Sequence, residues 1–468
     1  MRNDSLLSVT KPARVPRHGW LCFTLLSVLA LGLRFYYVTH VVMFQPANAH
    51  GAKGNAVQYY NYARNLVQHG IYSVEAPGNS LPVSDSFRDP GYPVFMAAWM
   101  KIFPQWDSWY VAIIFSQVIL STATVMLWLG VGRYWMPWRW LTVAGVLMAV
   151  WPHSISMSSH LLSETLYGFL VALAMFVYSL GVDKPNIRWA LICGACFAAA
   201  ALTNSVLLPF SVLLMLYMLI RRKFPPWIGV ALMASTLCLT APWLIRNSRL
   251  PPSPASSANR ALMNLVEGSW PLYHKADMAS TLSHDPQAVD IMNQINSEIA
   301  VIEADRKAGV SMMLERMSRD PGYYILWYLQ KPAMLWDWSI RIGVGDIYVY
   351  VTYHSPFDDN PLWRAVEAAC HGGNGVLALL ALTGGLLALR KSNHSSMAGV
   401  ALLLLTVTAI HTALQAEPRY SIPYRCAEIL LGVFAAYWLI AQWPKLRTRS
   451  RKQPPNSSQS RLPLLMKC

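Results

Sequence analysis

The stretch "WLCFTLLSVLALGLRFYYVTH", residues 20–40, decides the fold. A bilayer core is about 30 Å thick, so a helix needs about 20 mostly apolar residues to cross it. This run is long enough. It carries one charge, Arg34, near its far end, and tyrosines beside it of the kind that anchor a helix at the membrane boundary. It is too long for a signal-peptide core and lacks a clear cleavage site, so it reads as a retained anchor. Nine further apolar runs follow, at 108–131, 139–157, 161–181, 187–203, 205–221, 226–245, 373–390, 396–414 and 422–442. The expected fold is an all-α polytopic membrane protein of about ten transmembrane helices.

Composition and charge support that reading. The chain is 54% hydrophobic and only 13% charged, about half the charged fraction of a soluble protein. Its net charge of +15 comes from 38 Lys and Arg against 23 Asp and Glu. These cations do not gather into a nucleic-acid footprint. They sit in the tails and the short connectors: Lys11, Arg14 and Arg17; Arg133 and Arg139; Lys184 and Arg188; 221–223; 390–391; 445–452. With ten spans, all six groups fall on one side, which the positive-inside rule makes the cytoplasm. Residues 1–19 and 443–468 are then basic cytoplasmic tails, the second expected to lack regular structure. "CGAC" at 193–196 has redox or metal spacing, but inside "ALICGACFAAAAL" it reads as small residues that let helices approach.

The chain divides into a transmembrane module at 20–245 containing a first outer loop at 41–107, a second outer loop at 246–372, and closing helices at 373–442. In "NAVQYYNYARNLVQHG" (55–70), Ala56, Tyr59, Ala63 and Leu66 recur at helical spacing opposite Asn55, Gln58, Asn61 and Gln68. That pattern predicts an amphipathic helix on the membrane surface. Another starts at Asp285 and Pro286, an N-cap and first helical residue, with Val289, Met292, Ile295, Ile299 and Ile302 on one face. "RDPGY" occurs twice, at 88–92 and 319–323. Asp320 and Pro321 read as N-cap and first residue of a helix, while Pro93 moves the first copy's helix start to its own vicinity.

The topology collects polar residues at the outer ends of the spans: Arg34, Asp85, Arg88, Asp89, Glu164, Arg246, Asn247, Lys331, Glu417, Arg419 and Tyr420. Singly, each is a headgroup anchor, a local ion pair or, for Asp89, a turn former. Together they outline a polar cavity, because ionisable groups at membrane depth face a cavity or a partner. Arginine forks suit phosphate, and a carboxylate takes a proton from an attacking hydroxyl. No glycine-rich nucleotide loop between a strand and a helix is present.

In order, "LRFYY", "YYNYARNLVQHGIYS", "FRDPGYPVF", "LLSETL", "APWLIRN", "YYILWYLQKP" and "EPRYSIPY" resemble the GT-C superfamily of polyprenyl-phosphate-sugar glycosyltransferases. The branch is that of protein O-mannosyltransferases and the lipid A aminoarabinose transferase, and the resemblance covers about residues 20–442. It implies transfer of a sugar from a polyprenyl-phosphate donor to a lipid, glycan or protein acceptor on the extracytoplasmic face, periplasmic on a bacterial inner membrane. It places Arg88, Arg246 and Arg419 around the phosphate, with Glu164 or Glu417 orienting them; Lys331 and Arg34, from the outer-face set, are further donor-binding candidates. The family takes an Asp at the start of the first-loop helix as the catalytic carboxylate, and here Asn55 stands there. An amide is no general base, so the candidates become Asp85, Asp89, Glu75 and Glu164, with Asp85 favoured because it precedes Arg88 and has no turn role. Some members use a divalent metal; no dense Asp, Glu and His cluster marks one here, and no cofactor is expected. The alternatives are an inactive relative that binds lipid-linked sugar, a lipid-linked oligosaccharide ligase, and a transporter or flippase. The last would carry inverted repeats and broken mid-membrane helices.

Overall fold

The computed structural model describes residues 17–43, 54–78, 80–183, 185–221, 225–339, 352–391 and 395–450. Seven described helices are long and apolar enough to cross a membrane: Gly19–His40, Trp106–Gly132, Glu164–Gly181, Pro226–Ser248, Pro361–Arg390, Ser395–Ala413 and Pro418–Gln442. An eighth crossing is the bent pair Trp138–Val150 and Pro152–Ser159, and two shorter apolar helices are Ile187–Thr203 and Ser205–Ile220. These ten segments occupy the positions of the ten apolar runs. The protein is an integral multi-pass membrane protein built almost wholly of helices.

Two boundaries differ from expectation. The helix Pro361–Lys391 begins well ahead of residue 373, so the second outer loop ends sooner. The last helix runs to Ser450, so the basic tail begins as helix. Residues 1–16 and 451–468, Lys184, and 222–223 of the basic connectors lie outside the described residues.

The 55° bend has a chemical origin. Pro152 has no N–H, so the carbonyl of Met148 loses its helical donor. Arg34 replaces it. Its guanidinium donates to Met148 O at 3.4 Å and Ala149 O at 3.0 Å, while Nε donates to Ser121 Oγ at 2.6 Å and Nη1 also reaches Ala30 O at 3.1 Å. Arg34 is fully buried and serves the helix break, which corrects its expected place at the phosphate. The small residues of "CGAC" do act in packing: a Cβ on Gly194 would lie 2.4 Å from Leu232 O, so only glycine permits this approach of two spans.

The surface helix, Asn55–His69, also departs from expectation. Its apolar residues Ala56, Tyr59 and Ala63 are buried with Tyr92, Met96, Trp109 and Leu162 of the bundle rather than in lipid. Its amides are covered too. Asn61 Nδ2 donates to Val74 O at 3.0 Å, and Asn65 Nδ2 donates to Ser73 O and Glu75 O at 3.0 and 2.9 Å. Buried amides must find partners, and here they pin the chain that follows the helix.

In the second loop, helix Ser257–Ser269 is capped by the Ser256 hydroxyl, which accepts from Asn259 N at 3.1 Å. Its Val266 packs with Ile295 and Ile302 of Pro286–Ala304. Arg306–Ser318 and Pro321–Leu335 follow. Asp285 accepts from Gln287 N and Asp320 from Tyr323 N, both at 3.1 Å, as their N-cap readings require. The first RDPGY copy leads into Gly91–Ile102, starting just before Pro93. Val42–Met43 pairs antiparallel with Thr352–His354, joining the two loops.

Candidate active site

A cavity of about 340 Å³ lies between the loops and the outer ends of the spans. Its wall includes the start of the surface helix (Asn55, Tyr59), the first RDPGY turn (Phe87, Arg88, Asp89), and the start of Glu164–Gly181. The link at 203–206, helix Ser257–Ser269 and the turn around Gln415–Tyr424 complete it. Each of these segments lies at the end of its span opposite the basic connectors. The cavity therefore lies at the end of the bundle away from the basic connectors.

Seven expected residues meet here: Asn55, Arg88, Asp89, Glu164, Glu417, Arg419 and Tyr420. Arg88 Nε donates to Gln58 Oε1 at 2.7 Å, and Nη2 donates to Asn55 Oδ1. Its guanidinium lies 5.5 Å from the Tyr59 ring centre and 5.2 Å from that of Phe87. Among the described residues no carboxylate pairs with it, so its positive charge faces the cavity uncompensated. Arg419 Nε donates to Glu164 Oε1 at 2.5 Å, while Glu164 Oε2 has no hydrogen-bond partner among the described residues. Asp89 Oδ2 accepts from Arg260 and from Ser205 N, at 3.0 and 3.1 Å. Glu417 faces His274 Nδ1 at 3.1 Å.

Four expected residues lie outside this cavity. Asp85 accepts from the Tyr62 hydroxyl, from Val74 N at 2.6 Å and from Phe87 N at 3.1 Å. Both carboxylate oxygens thus latch the first loop, which corrects its placing as the favoured base. Arg246 donates to Asp85 O and, at 3.3 Å, to Tyr72 O, with Trp243 4.8 Å from its guanidinium. It clamps the same loop. Lys331 Nζ donates to Gly268 O at 2.8 Å and to Leu414 O, and burial lowers its ammonium to about 7. These carbonyls belong to the last turn of one helix and the residue just after another, where a cation is favoured. Arg34 is held at the helix break. Glu75, the remaining candidate acid, accepts from Val83 N at 3.2 Å within its loop.

Two cavity residues escaped the sequence reading: Arg260 and Glu267. With Asn264 they recur at i, i+4 and i+7 in "ANRALMNLVEGSW", opposite Leu262, Leu265 and Val266. That polar stripe was visible, though nothing local told which way it faced. Glu267 is buried in the wall, hydrogen-bonded with the Tyr273 side chain, and burial pushes its carboxyl up to about 7. A divalent metal, which the GT-C resemblance admits, does not fit the donor set. Each cavity carboxylate faces an Arg, Tyr or His, and no group of three or more His, Cys, Asp or Glu placed to hold a metal ion occurs among the described residues.

No family model matches the chain, and no curated protein matches it. Solved structures do. The apo oligosaccharyltransferase of Archaeoglobus fulgidus aligns over 92% of this chain and 52% of its own, at 11% identity and a TM-score of 0.50. The same organism's AglB in complex with an inhibitory peptide and a dolichol-phosphate aligns over 95% and 53%, at 11% identity and TM-score 0.49. ArnT from Cupriavidus metallidurans bound to undecaprenyl phosphate aligns over 94% and 82%, at 15% identity and TM-score 0.38. The chain spans about half the length of the oligosaccharyltransferases it matches. At these identities the likeness is one of fold alone: a polytopic helical membrane bundle shared with the archaeal oligosaccharyltransferase.

Proposed function

We propose that this protein is a membrane glycosyltransferase that moves a sugar from a polyprenyl-phosphate donor to a lipid, glycan or protein acceptor on the extracytoplasmic face. In a bacterium that face is the periplasmic side of the inner membrane. The observation that carries the reading is Arg88: a guanidinium fixed by two amides and two rings, facing a cavity at the membrane boundary with no carboxylate partner. An arginine held this way is pre-organised for a phosphate. The donor's chain lies in the lipid beside the spans, and its phosphate enters the cavity toward Arg88, with Arg419 and Arg260 also in its lining.

In transfer, the acceptor attacks the anomeric carbon, the bond to the phosphate oxygen breaks, and lipid phosphate leaves with the electron pair. Arg88 stabilises that growing charge, an electrostatic effect worth about 10²–10³ in rate for one such donor. Glu164 holds Arg419 in position. The fold shared with an oligosaccharyltransferase supports this reading. The test is transfer by purified protein in detergent from radiolabelled polyprenyl-phosphate hexose to crude envelope lipid. Wild type should move label, and Arg88→Ala should lose at least ~100-fold at unchanged protein level. Equal activity in both would sink the assignment of Arg88.

One observation favours a second reading. Asn55 removes the first-loop acid and binds Arg88 instead, which suits a protein that binds lipid-linked sugar without transferring it. Donor binding without transfer under any acceptor condition would establish that reading.

A further inference from the structure

We infer that Glu267 is the general base of this site, so that the acceptor is activated from the second outer loop rather than the first. This rests on the glycosyltransferase reading above. The argument is one of elimination and of positioning. In the first loop, Asn55 is an amide, Asp85 is closed by Tyr62 and two backbone N–H groups, and Asp89 is bound by Arg260 and Ser205 N. Glu164 is held through Oε1 by the Arg419 guanidinium, which commits it to that cation even though Oε2 has no hydrogen-bond partner among the described residues, and Glu417 faces His274. The carboxyl of Glu267, in contrast, is hydrogen-bonded with the Tyr273 side chain, a phenol rather than a guanidinium or an imidazole.

Its backbone is held firmly. A Cβ on Gly268 would lie 2.1 Å from Leu414 O, so the chain after Glu267 is pressed against the turn leading to Arg419. Gly268 O accepts from Lys331 Nζ at 2.8 Å and Trp327 Nε1 at 3.0 Å. A base must sit within hydrogen-bond reach of its proton, and a pinned backbone supplies that accuracy. A carboxyl pushed to about 7 by burial is also suited to accept a proton near neutral pH.

The step balances. An acceptor hydroxyl gives its proton to a Glu267 oxygen as its own oxygen bonds the anomeric carbon. The carbon–oxygen bond to phosphate breaks, and the lipid phosphate leaves as an anion against Arg88. Several groups bear on Glu267 from the elements around it. They are Arg260 on its own helix, Tyr273, His274 and Asp277 on the next, His411, Glu417, Arg419 and Tyr420 across the cavity, Lys331 beneath Gly268, and Arg316 with Glu298 beyond Ser269. Most are neutral or mutually paired, which leaves burial as the main influence on Glu267.

The experiment uses full-length protein in detergent with radiolabelled polyprenyl-phosphate hexose. It reads transfer to envelope lipid, release of free sugar to water, and donor affinity from quenching of intrinsic Trp fluorescence. Glu267→Gln should lower kcat by ~10²–10⁴ with donor affinity and melting temperature near wild type, and Glu267→Asp should recover part of the rate. Wild-type kcat should rise tenfold per pH unit below about 7 and level off above it, a profile absent from Glu267→Gln. Unchanged kcat and pH profile in Glu267→Gln, beside an active wild type, would overturn the role of Glu267 alone. A wild type that binds donor but neither transfers nor hydrolyses it would overturn the transferase reading and this inference with it.

Discussion

The protein holds two kinds of buried or half-buried cation, alike in sequence and opposite in use. Arg34, Arg246 and Lys331 direct most of their donors at backbone carbonyls, those of a broken helix, a folded loop and two helix ends. Arg88, Arg260 and Arg419 direct theirs at side chains around a cavity. A carbonyl deprived of its partner costs stability, so the first set holds the fold together. The second set lines the cavity, where a ligand can reach it, and within it Arg88 has no carboxylate partner among the described residues, so this set can bind an anion. Partner type separates the two groups where burial and charge do not.

The sharpest way to break this comparison is to remove one residue from each set. Arg34→Leu leaves the carbonyls of Ala30, Met148 and Ala149 without their guanidinium donor. At ~1–3 kcal/mol for each unsatisfied buried group, the variant should fail to accumulate as folded protein. Arg88→Ala should fold and melt within a few degrees of wild type while losing ~10²–10³ in transfer rate. Melting temperature in detergent and a transfer assay on the same preparations decide it. If Arg34→Leu folded and lost only activity, the division would be wrong.

The next largest effect is pH-dependent and concerns Lys331 against Glu267, neighbours with opposite signs. Burial lowers Lys331 from 10.5 to about 7, so the folded chain binds this proton more weakly than the unfolded one. Its contribution to stability is full above 10.5 and is lost as pH falls through about 7. Glu267 is raised from 4.5 to about 7, so its contribution is full below 4.5 and is lost as pH rises through about 7. Lys331→Met should flatten the melting curve's slope on the alkaline side of neutrality, and Glu267→Gln its slope on the acid side. Melting temperatures across pH 5–10 check both. A slope unchanged in either variant would remove that residue from the account.

The positions of the spans were legible because a twenty-residue apolar run has few other uses. Asp285 and Asp320 were legible as caps because a cap is a local device. What escaped was non-local. Arg34 looked like a ligand-binding residue since its true partners, at Met148 and Ala149, are remote in sequence and exposed only because Pro152 breaks their helix. Asp85 seemed free because the turn that occupies it is closed by Tyr62 and Val74 from elsewhere in the loop. Glu267 gave a stripe with Arg260 and Asn264, but its direction depends on Gly268 meeting Leu414, which no local pattern encodes.

The smallest expected effect probes the cavity set from within. Asn55 Oδ1 accepts from Arg88, and Asn55→Asp would keep the shape while placing a negative charge on that contact. The new ion pair should steady the first loop slightly, since partly exposed pairs contribute ~0.2–1 kcal/mol. It should also neutralise Arg88, whose guanidinium has no carboxylate partner among the described residues, so donor binding should weaken several-fold, seen as a higher KM at nearly unchanged kcat. Raising ionic strength should weaken donor binding in wild type more than in the variant, because screening acts on the uncompensated charge. A large gain in kcat instead would mean that an acid at position 55 can serve as base alongside Glu267, and that the second-loop base is an accommodation to Asn55 rather than a fixed property of this cavity.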